Sequence, residues 1–304
     1  MRKARRTTKS YRIIRCKTWT SFVSAINSPE FASWTFRGQS DSRWGLYSKL
    51  SRHLLGFKIH LKAWSVQEKR ILRIFKRKAH HHLEHLPREE DTFEWLALMQ
   101  HHGAPTRLLD FTWSAYVASF FALEHSTGDC AVWALNPPQI NRSSLKLDRK
   151  KPVNPRKMGP WKAGNLERYF FTERFPIVSI GEPYVMNPRL TVQKGTFVIP
   201  GVLDKPVEEL LAGYPDPENT VVKFELVTSS VRNQALKELY DMNISYATLF
   251  PDLDGLARSL AYELEFNWAF DPRTMESLPG FEGYTAEVLY ELDETGGTRR
   301  KSGE

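Results

Sequence analysis

Gln100-His101-His102-Gly103-Ala104-Pro105-Thr106-Arg107-Leu108-Leu109-Asp110-Phe111-Thr112-Trp113-Ser114 gathers nearly every polar side-chain type used in chemistry into one short run. Gly103 and Pro105 set a fixed turn, and Leu108 and Leu109 anchor it in a core. A purely structural loop has little need for Gln, two His, Arg, Asp, Thr and Ser together, so the run reads as a site. The competing reading is a buried hydrogen-bond knot, because polar groups taken out of water must be paired wherever they occur. On either reading the run joins two elements. Residues 93–100 have the pattern of a helix that delivers the His-rich turn, and Thr112 or Ser114 is a natural N-cap for a helix over 115–125. The positive N-terminal end of that helix points at the polar cluster.

Working outward, Trp19, Phe22, Val23 and Ile26 recur at helical spacing, which predicts a short amphipathic helix over 18–28. Trp34-Thr35-Phe36 is β-prone and Gly38 ends it, which puts Arg37 at a strand end where a side chain faces a cleft. A long helix is predicted over 62–86, broken by Pro87. Strands are predicted at 131–135, ended by Asn136-Pro137-Pro138, at 191–199 around Gly195, and at 221–227. Helices follow over 231–241 and 253–263, the second opened by Pro251-Asp252. The fold class is α+β, a single large domain with a mixed sheet flanked by helices. A basic tail covers 1–17, the domain 18–264, and a C-terminal extension 265–304, whose end at 296–304 frays. There is no internal repeat.

At 304 residues, with 41% hydrophobic and 26% charged side chains, the chain has the composition of a globular domain that can bury a sizeable core. No apolar run approaches the roughly 20 residues that span a bilayer, so no membrane association is expected. The start, Met1-Arg2-Lys3-Ala4-Arg5-Arg6, has the charge of a signal peptide without an apolar segment behind it. Cys16 and Cys130 are the only cysteines, which excludes a disulfide framework and suits a reducing, cytoplasmic setting. The net charge of +8 is gathered at 1–12, 69–78 and 146–162. It favours an anionic partner, nucleic acid or an acidic protein, against the blander reading of a solvated face and a loose tail.

Taken with Trp34-Thr35-Phe36-Arg37-Gly38-Gln39, the run at 100–114 resembles the FRG domain, a family named for its Phe-Arg-Gly tripeptide. Further elements fall in the family's order. They are Trp44-Gly45-Leu46-Tyr47-Ser48-Lys49-Leu50-Ser51-Arg52, then Glu68 and Phe75, then the apolar run 115–122. Asn187-Pro188-Arg189, Gln193-Lys194-Gly195-Thr196-Phe197 and Leu249-Phe250-Pro251-Asp252-Leu253-Asp254-Gly255-Leu256 complete it. The likeness spans about residues 18–260.

An Arg-Gly strand end, a Thr/Ser cluster before a helix and a later strand with a polar residue also resemble the three-part site of ADP-ribosyltransferases of the arginine-serine-glutamate type, with NAD as substrate. That resemblance implies roles for residues of this chain. Arg37 steadies the NAD phosphates or ribose, Gly38 meets the nicotinamide amide, and Thr112 and Ser114 support the ribose. Trp113 is a ring or ribose contact, and Gln193 stands on the third strand. Breaking the nicotinamide–ribose bond passes through an oxocarbenium-like species, as in glycoside cleavage, and a fixed electrostatic cradle lowers that barrier. Gln193 departs from the pattern, since it lacks the charge of the family's Glu; Asp110 or Glu225 would have to supply it. His102 is the candidate general base toward an acceptor. The structural alternatives are an Arg37–Asp110 ion pair, a helix-capping His102 and a Gln193 that satisfies backbone groups.

Other chemistry is set aside. His81 and His85 have a zinc-compatible spacing on the predicted helix, but neither a Glu-based metalloprotease motif nor a CxxC pair accompanies them, so no metal is expected. Serine hydrolysis lacks the G-x-S-x-G elbow, and no P-loop or G-x-G-x-x-G run occurs. The leading expectation is an NAD-dependent ADP-ribosyltransferase that modifies a macromolecular acceptor, nucleic acid among them, as a toxin-like or phage-defence effector. The alternative is a non-catalytic nucleotide- or nucleic-acid-binding module in a toxin–antitoxin or defence complex, with an antitoxin or regulatory protein as partner.

Overall fold

A computed structural model describes residues 11–143, 145–148, 151–153, 155–264 and 269–281. The basic tail up to residue 10, residues 149, 150 and 154 of the run 146–162, and the end at 296–304 lie outside them. The strands are β1 (Arg12–Cys16), β2 (Thr35–Gln39), β3 (Leu109–Thr112), β4 (Cys130–Leu135), β5 (Leu145–Asp148), β6 (Lys151–Val153), β7 (Val178–Gly181), β8 (Gly195–Pro200) and β9 (Val221–Leu226). Seven of them form one sheet in the order β1-β9-β4-β2-β3-β8-β7, while β5 and β6 pair separately. Only the β1–β9 pair in that sheet is parallel, so the sheet is mixed. Strand β4, between β9 and β2, reads Cys-Ala-Val-Trp-Ala-Leu and is buried at every position. Such a continuous apolar run is what a strand covered on both faces requires.

The helices are α1 (Trp19–Ile26), α2 (Lys49–Gly56), α3 (Trp64–Ala79), α4 (Thr92–His101), α5 (Ala115–Leu123), α6 (Pro137–Arg142), α7 (Pro188–Val192), α8 (Val207–Leu211) and α9 (Thr228–Asp241). The strands and helices up to Leu239 make up an α+β domain of a mixed sheet with flanking helices, the class expected. The described residues from Tyr240 onward belong to a second compact unit. It holds α10 (Tyr246–Leu249) and α11 (Leu253–Glu263), with Asp252 capping α11 through Gly255 N at 2.8 Å.

Three predicted elements differ. The helix expected over 62–86 is α3, which ends at Ala79. Its buried stripe is Trp64, Glu68, Leu72 and Ala79; the His run that follows is a weak helix former and is exposed. His81 and His85 therefore do not share a helix. The strand expected over 191–199 begins only at Gly195, because Asn187 caps α7 through Leu190 N at 2.8 Å and Pro188 opens it. Lys194 then turns the chain at φ 46°. Arg37 lies inside β2 and not at its end, since pairing with β4 continues through Gly38 to Gln39.

Two contacts hold this frame. Helix α5, Ala-Tyr-Val-Ala-Ser-Phe-Phe-Ala-Leu, is apolar almost all round, as a helix enclosed by its own domain must be. It lies directly on β2 at Gly38, where a Cβ would stand 2.0 Å from Ala118 O and 2.6 Å from Ala122 N. The second contact is Arg107, fully buried. Its Nε donates to Glu68 Oε1 at 2.7 Å, Nη2 to Glu68 Oε2 and to Glu173 Oε1 at 2.9 Å, and Nη1 to Pro200 O at 2.9 Å. The Phe171 ring lies 5.3 Å from the guanidinium. Burial alone would depress the Arg107 pKa, but the Glu68 and Glu173 carboxylates outweigh it and raise it.

Arg107→Met is expected to cost about 3–5 kcal/mol, because it leaves a buried carboxylate without its cation; the midpoint of urea unfolding reads this, and Glu68→Gln in the same chain should return part of the loss. Gly38→Ala is expected to cost about 3 kcal/mol through overpacking against the α5 backbone. An unfolding midpoint equal to that of the parent would show that α5 can move away freely.

Candidate functional site

Strands β2 and β3 pair at Phe36↔Thr112. Continuing that register would bring Gly38 opposite Asp110, yet the strands separate there and the gap opens into a hollow of about 230 Å³. Arg37, Gly38, Asp110, Thr112, Arg189 and Gln193 line its polar side, and Val117, Ala118 and Phe121 of α5 its apolar side. Arg37 reaches across the gap. Its Nη1 donates to Asp110 O at 2.6 Å, with Asp110 Oδ2 at 3.9 Å. The side chain thus takes the place of a cross-strand backbone bond.

The Arg37 side chain is 22% exposed, and its Nε is buried with no hydrogen-bond partner among the described residues. Burial pushes its pKa down, Asp110 opposes that shift, and Arg52 of α2 adds to it. A guanidinium keeps its proton, so the cost of burying it remains as positive charge that an anion would relieve.

The Asp110 carboxylate is exposed and held from one side, where Gln100 Nε2 donates to Oδ2 at 2.8 Å. Gln100 Oε1 in turn accepts from Thr106 Oγ1 at 2.5 Å. Thr112 Oγ1 donates to Gln193 O at 2.6 Å and accepts from Ser114 N at 3.0 Å, tying the end of β3 to the turn after α7. Ser114 Oγ caps α5 by accepting from Val117 N at 3.3 Å. The arrangement combines two guanidinium groups, one carboxylate, one amide and one hydroxyl over an apolar wall. Such a set can recognise an anionic group next to hydroxyls.

Several residues assigned roles from sequence lie elsewhere. His102 is exposed at the C-terminal end of α4, with its ring 4.8 Å from that of His101, and is not part of the hollow's lining. Its backbone N–H closes the end of α4, as the helix-capping alternative has it. Trp113 is outside the lining and donates through Nε1 to Glu182 Oε1 at 2.9 Å. Ser114 accepts the capping bond of α5 and is outside the lining. Gln193 lines the hollow but ends α7, not a strand. Glu225 sits on β9, two strands from β2, with Lys223 Nζ 2.8 Å away, and does not reach the hollow. Arg189 received no role from sequence, although Asn187-Pro188-Arg189 was part of the family pattern. Only the fold of α7 brings it beside Arg37.

A larger groove of about 870 Å³ runs between the start of α4 and residues 160–167 and 184–187, and none of Arg37, Asp110, Thr112 and Gln193 lines it. Its Glu94, raised in pKa by burial, accepts from Tyr184 N, and Glu167 accepts from Thr92 Oγ1 at 2.8 Å. Among the described residues no His, Cys, Asp and Glu group is placed to hold a metal ion. No helix among them is long and apolar enough to cross a membrane.

No curated relative and no solved structure matches the chain. The FRG domain family model matches residues 32–129, a stretch that begins just before β2 and stops just before β4. It holds Arg37, Gly38, Asp110, Thr112 and both Glu68 and Arg107, whereas Arg189 and Gln193 come from later in the chain. The tripeptide strand, the buried arginine and the Asp110 side of the hollow all lie inside the stretch that is similar to the FRG domain, about a third of the chain.

Proposed function

We propose that the Arg37 hollow takes the diphosphate and ribose portion of NAD, and that the protein is an NAD-dependent ADP-ribosyltransferase. The observation that carries this reading is the buried, unpartnered Nε of Arg37 beside a carboxylate on the same hollow. A phosphate oxygen would satisfy that donor with a charge-assisted bond. Arg189 lies on the same wall, and the Thr112 hydroxyl and Gln193 amide suit a ribose. Asp110 is the carboxylate in the lining, so it replaces the Glu that Gln193 cannot imitate. It would stabilise the oxocarbenium-like carbon as the electron pair of the breaking bond leaves with nicotinamide. The hollow is smaller than the roughly 300–1,000 Å³ that encloses a drug-sized ligand, so the adenosine end would lie outside it. A macromolecular acceptor, nucleic acid or protein, and a toxin-like or phage-defence role belong to the same proposal. An antitoxin-type regulator would act by covering the hollow.

A second reading is a nucleotide-binding module without turnover. It is favoured by the engagement of Asp110 with Gln100, which ties the carboxylate to the scaffold.

With labelled NAD and mixed acceptors, nicotinamide release and labelling of an acceptor are expected. Asp110→Asn should slow release by about 100-fold or more with little change in NAD affinity. Arg37→Gln should weaken NAD binding by about 10- to 100-fold, the worth of a hydrogen bond to a charged group. NAD that binds through Arg37 but is never consumed would select the module, and NAD that does not bind at all would remove both readings.

A further inference from the structure

Residues 49–78 carry ten Lys and Arg and one acid, Glu68, a net +9 against +8 for the whole chain. The rest of the chain sums to about neutral, because its basic stretches at 1–12 and 146–162 are offset by acids elsewhere, and α2, α3 and their connection hold ten cations against one acid. Glu68 does not screen this charge, because it is buried and committed to Arg107. On α3 the apolar stripe Trp64, Leu72 and Ala79 is buried, and Lys69, Arg70, Arg73 and Arg77 stand exposed on the opposite side. None of these four ion-pairs among the described residues. At 1.5 Å per residue they form a band about 12 Å long on the exposed face of the helix. At the end of α2, Phe57 is 70% exposed, with the His53 ring stacked 5.5 Å away. Lys58 and Lys62 flank it, both exposed. Arg52, on α2, is close enough to Arg37 to add to the charge at the hollow.

We propose that the α2–α3 ridge is a binding surface for single-stranded nucleic acid, with the α3 band on the phosphates and Phe57 as a stacking platform for a base. A band of cations on one helix face suits a polyanion that presents charge at regular intervals, and an exposed ring in the same basic segment suits bases of any sequence. An anionic membrane fits less well. The apolar face of α3 is already packed in the protein, so the helix has none to insert. The surface is distinct from the Arg37 hollow, and binding to it requires no NAD.

The test is fluorescence anisotropy of short labelled DNA and RNA oligonucleotides with the full chain and no NAD. Binding should weaken steeply between about 50 and 200 mM salt. Changing Lys69, Arg70, Arg73 and Arg77 together to Gln should reduce the slope of log affinity against log salt by about 3, at roughly 0.7 per phosphate contact on a single strand. The thermal unfolding profile checks that this variant is folded. Phe57→Ala should weaken binding by about five-fold or more with the slope unchanged. Oligonucleotide binding that is undetectable in the parent, unaltered in the folded four-site variant, or matched by polyglutamate or phosphatidylserine vesicles would overturn the assignment.

Discussion

The architecture depends on how closely the backbone of α5 approaches β2. Gly38 removes the one atom that would keep Ala118 and Ala122 away from the strand, and the helix settles onto the sheet as an apolar rod. Ser114 fixes where that rod begins, and Thr112 just before it ties the end of β3 to the turn after α7. The glycine of the Phe-Arg-Gly tripeptide thus has a packing cause that requires no ligand. Its neighbour is different. Arg37 sits where the sheet opens, and one of its nitrogens is left without a partner among the described residues.

The polar run at 100–114 is both of the things it can be read as. Its first half is a knot. Thr106 bonds Gln100, and Arg107 gathers Glu68, Glu173 and the Pro200 carbonyl inside the core. Its second half faces the hollow through Asp110 and Thr112. The residue type most suggestive of chemistry, a fully buried arginine, is the one whose bonds are all internal. A mostly buried arginine with a spare donor, Arg37, carries the stronger case, because an unmet buried donor is costly until something supplies an acceptor.

Much of this could be read from the residues. The helices at 19–26, 92–101, 115–123 and 253–263 and the strands at 130–135 and 221–226 followed from spacing and caps, because each has one dominant local signal. Other elements did not. β3 alternates Leu109 and Phe111 inward, but its polar neighbours led it to be read as loop; β1 and β7 are short strands whose place is decided by their partners. Asn187-Pro188 imposed a helical turn where alternation alone suggested a strand. Arg37, Gly38, Asp110, Thr112 and Gln193 do share one hollow, yet Arg189 could not be found from spacing, because its approach depends on a turn some eighty residues after β3. His102 shows the converse: proximity in sequence to Asp110 did not carry it round the end of α4.

The order of the strands bears on how the chain is made. Within the sheet, β2 and β3 have β4 and β8 as their outer neighbours, and Arg12 of β1 pairs with Val222 of β9. A growing polypeptide emerging from the ribosome therefore exposes the Phe-Arg-Gly strand long before β9 exists to complete its side of the sheet, and Arg107 appears well ahead of Glu173. Long-range pairing of this kind slows folding and leaves open edges in the meantime. Synthesis of this protein thus includes a period in which its apolar strands lack the partners that later cover them, and a nascent chain arrested before Pro200 would have its central arginine but not all the groups that close around it.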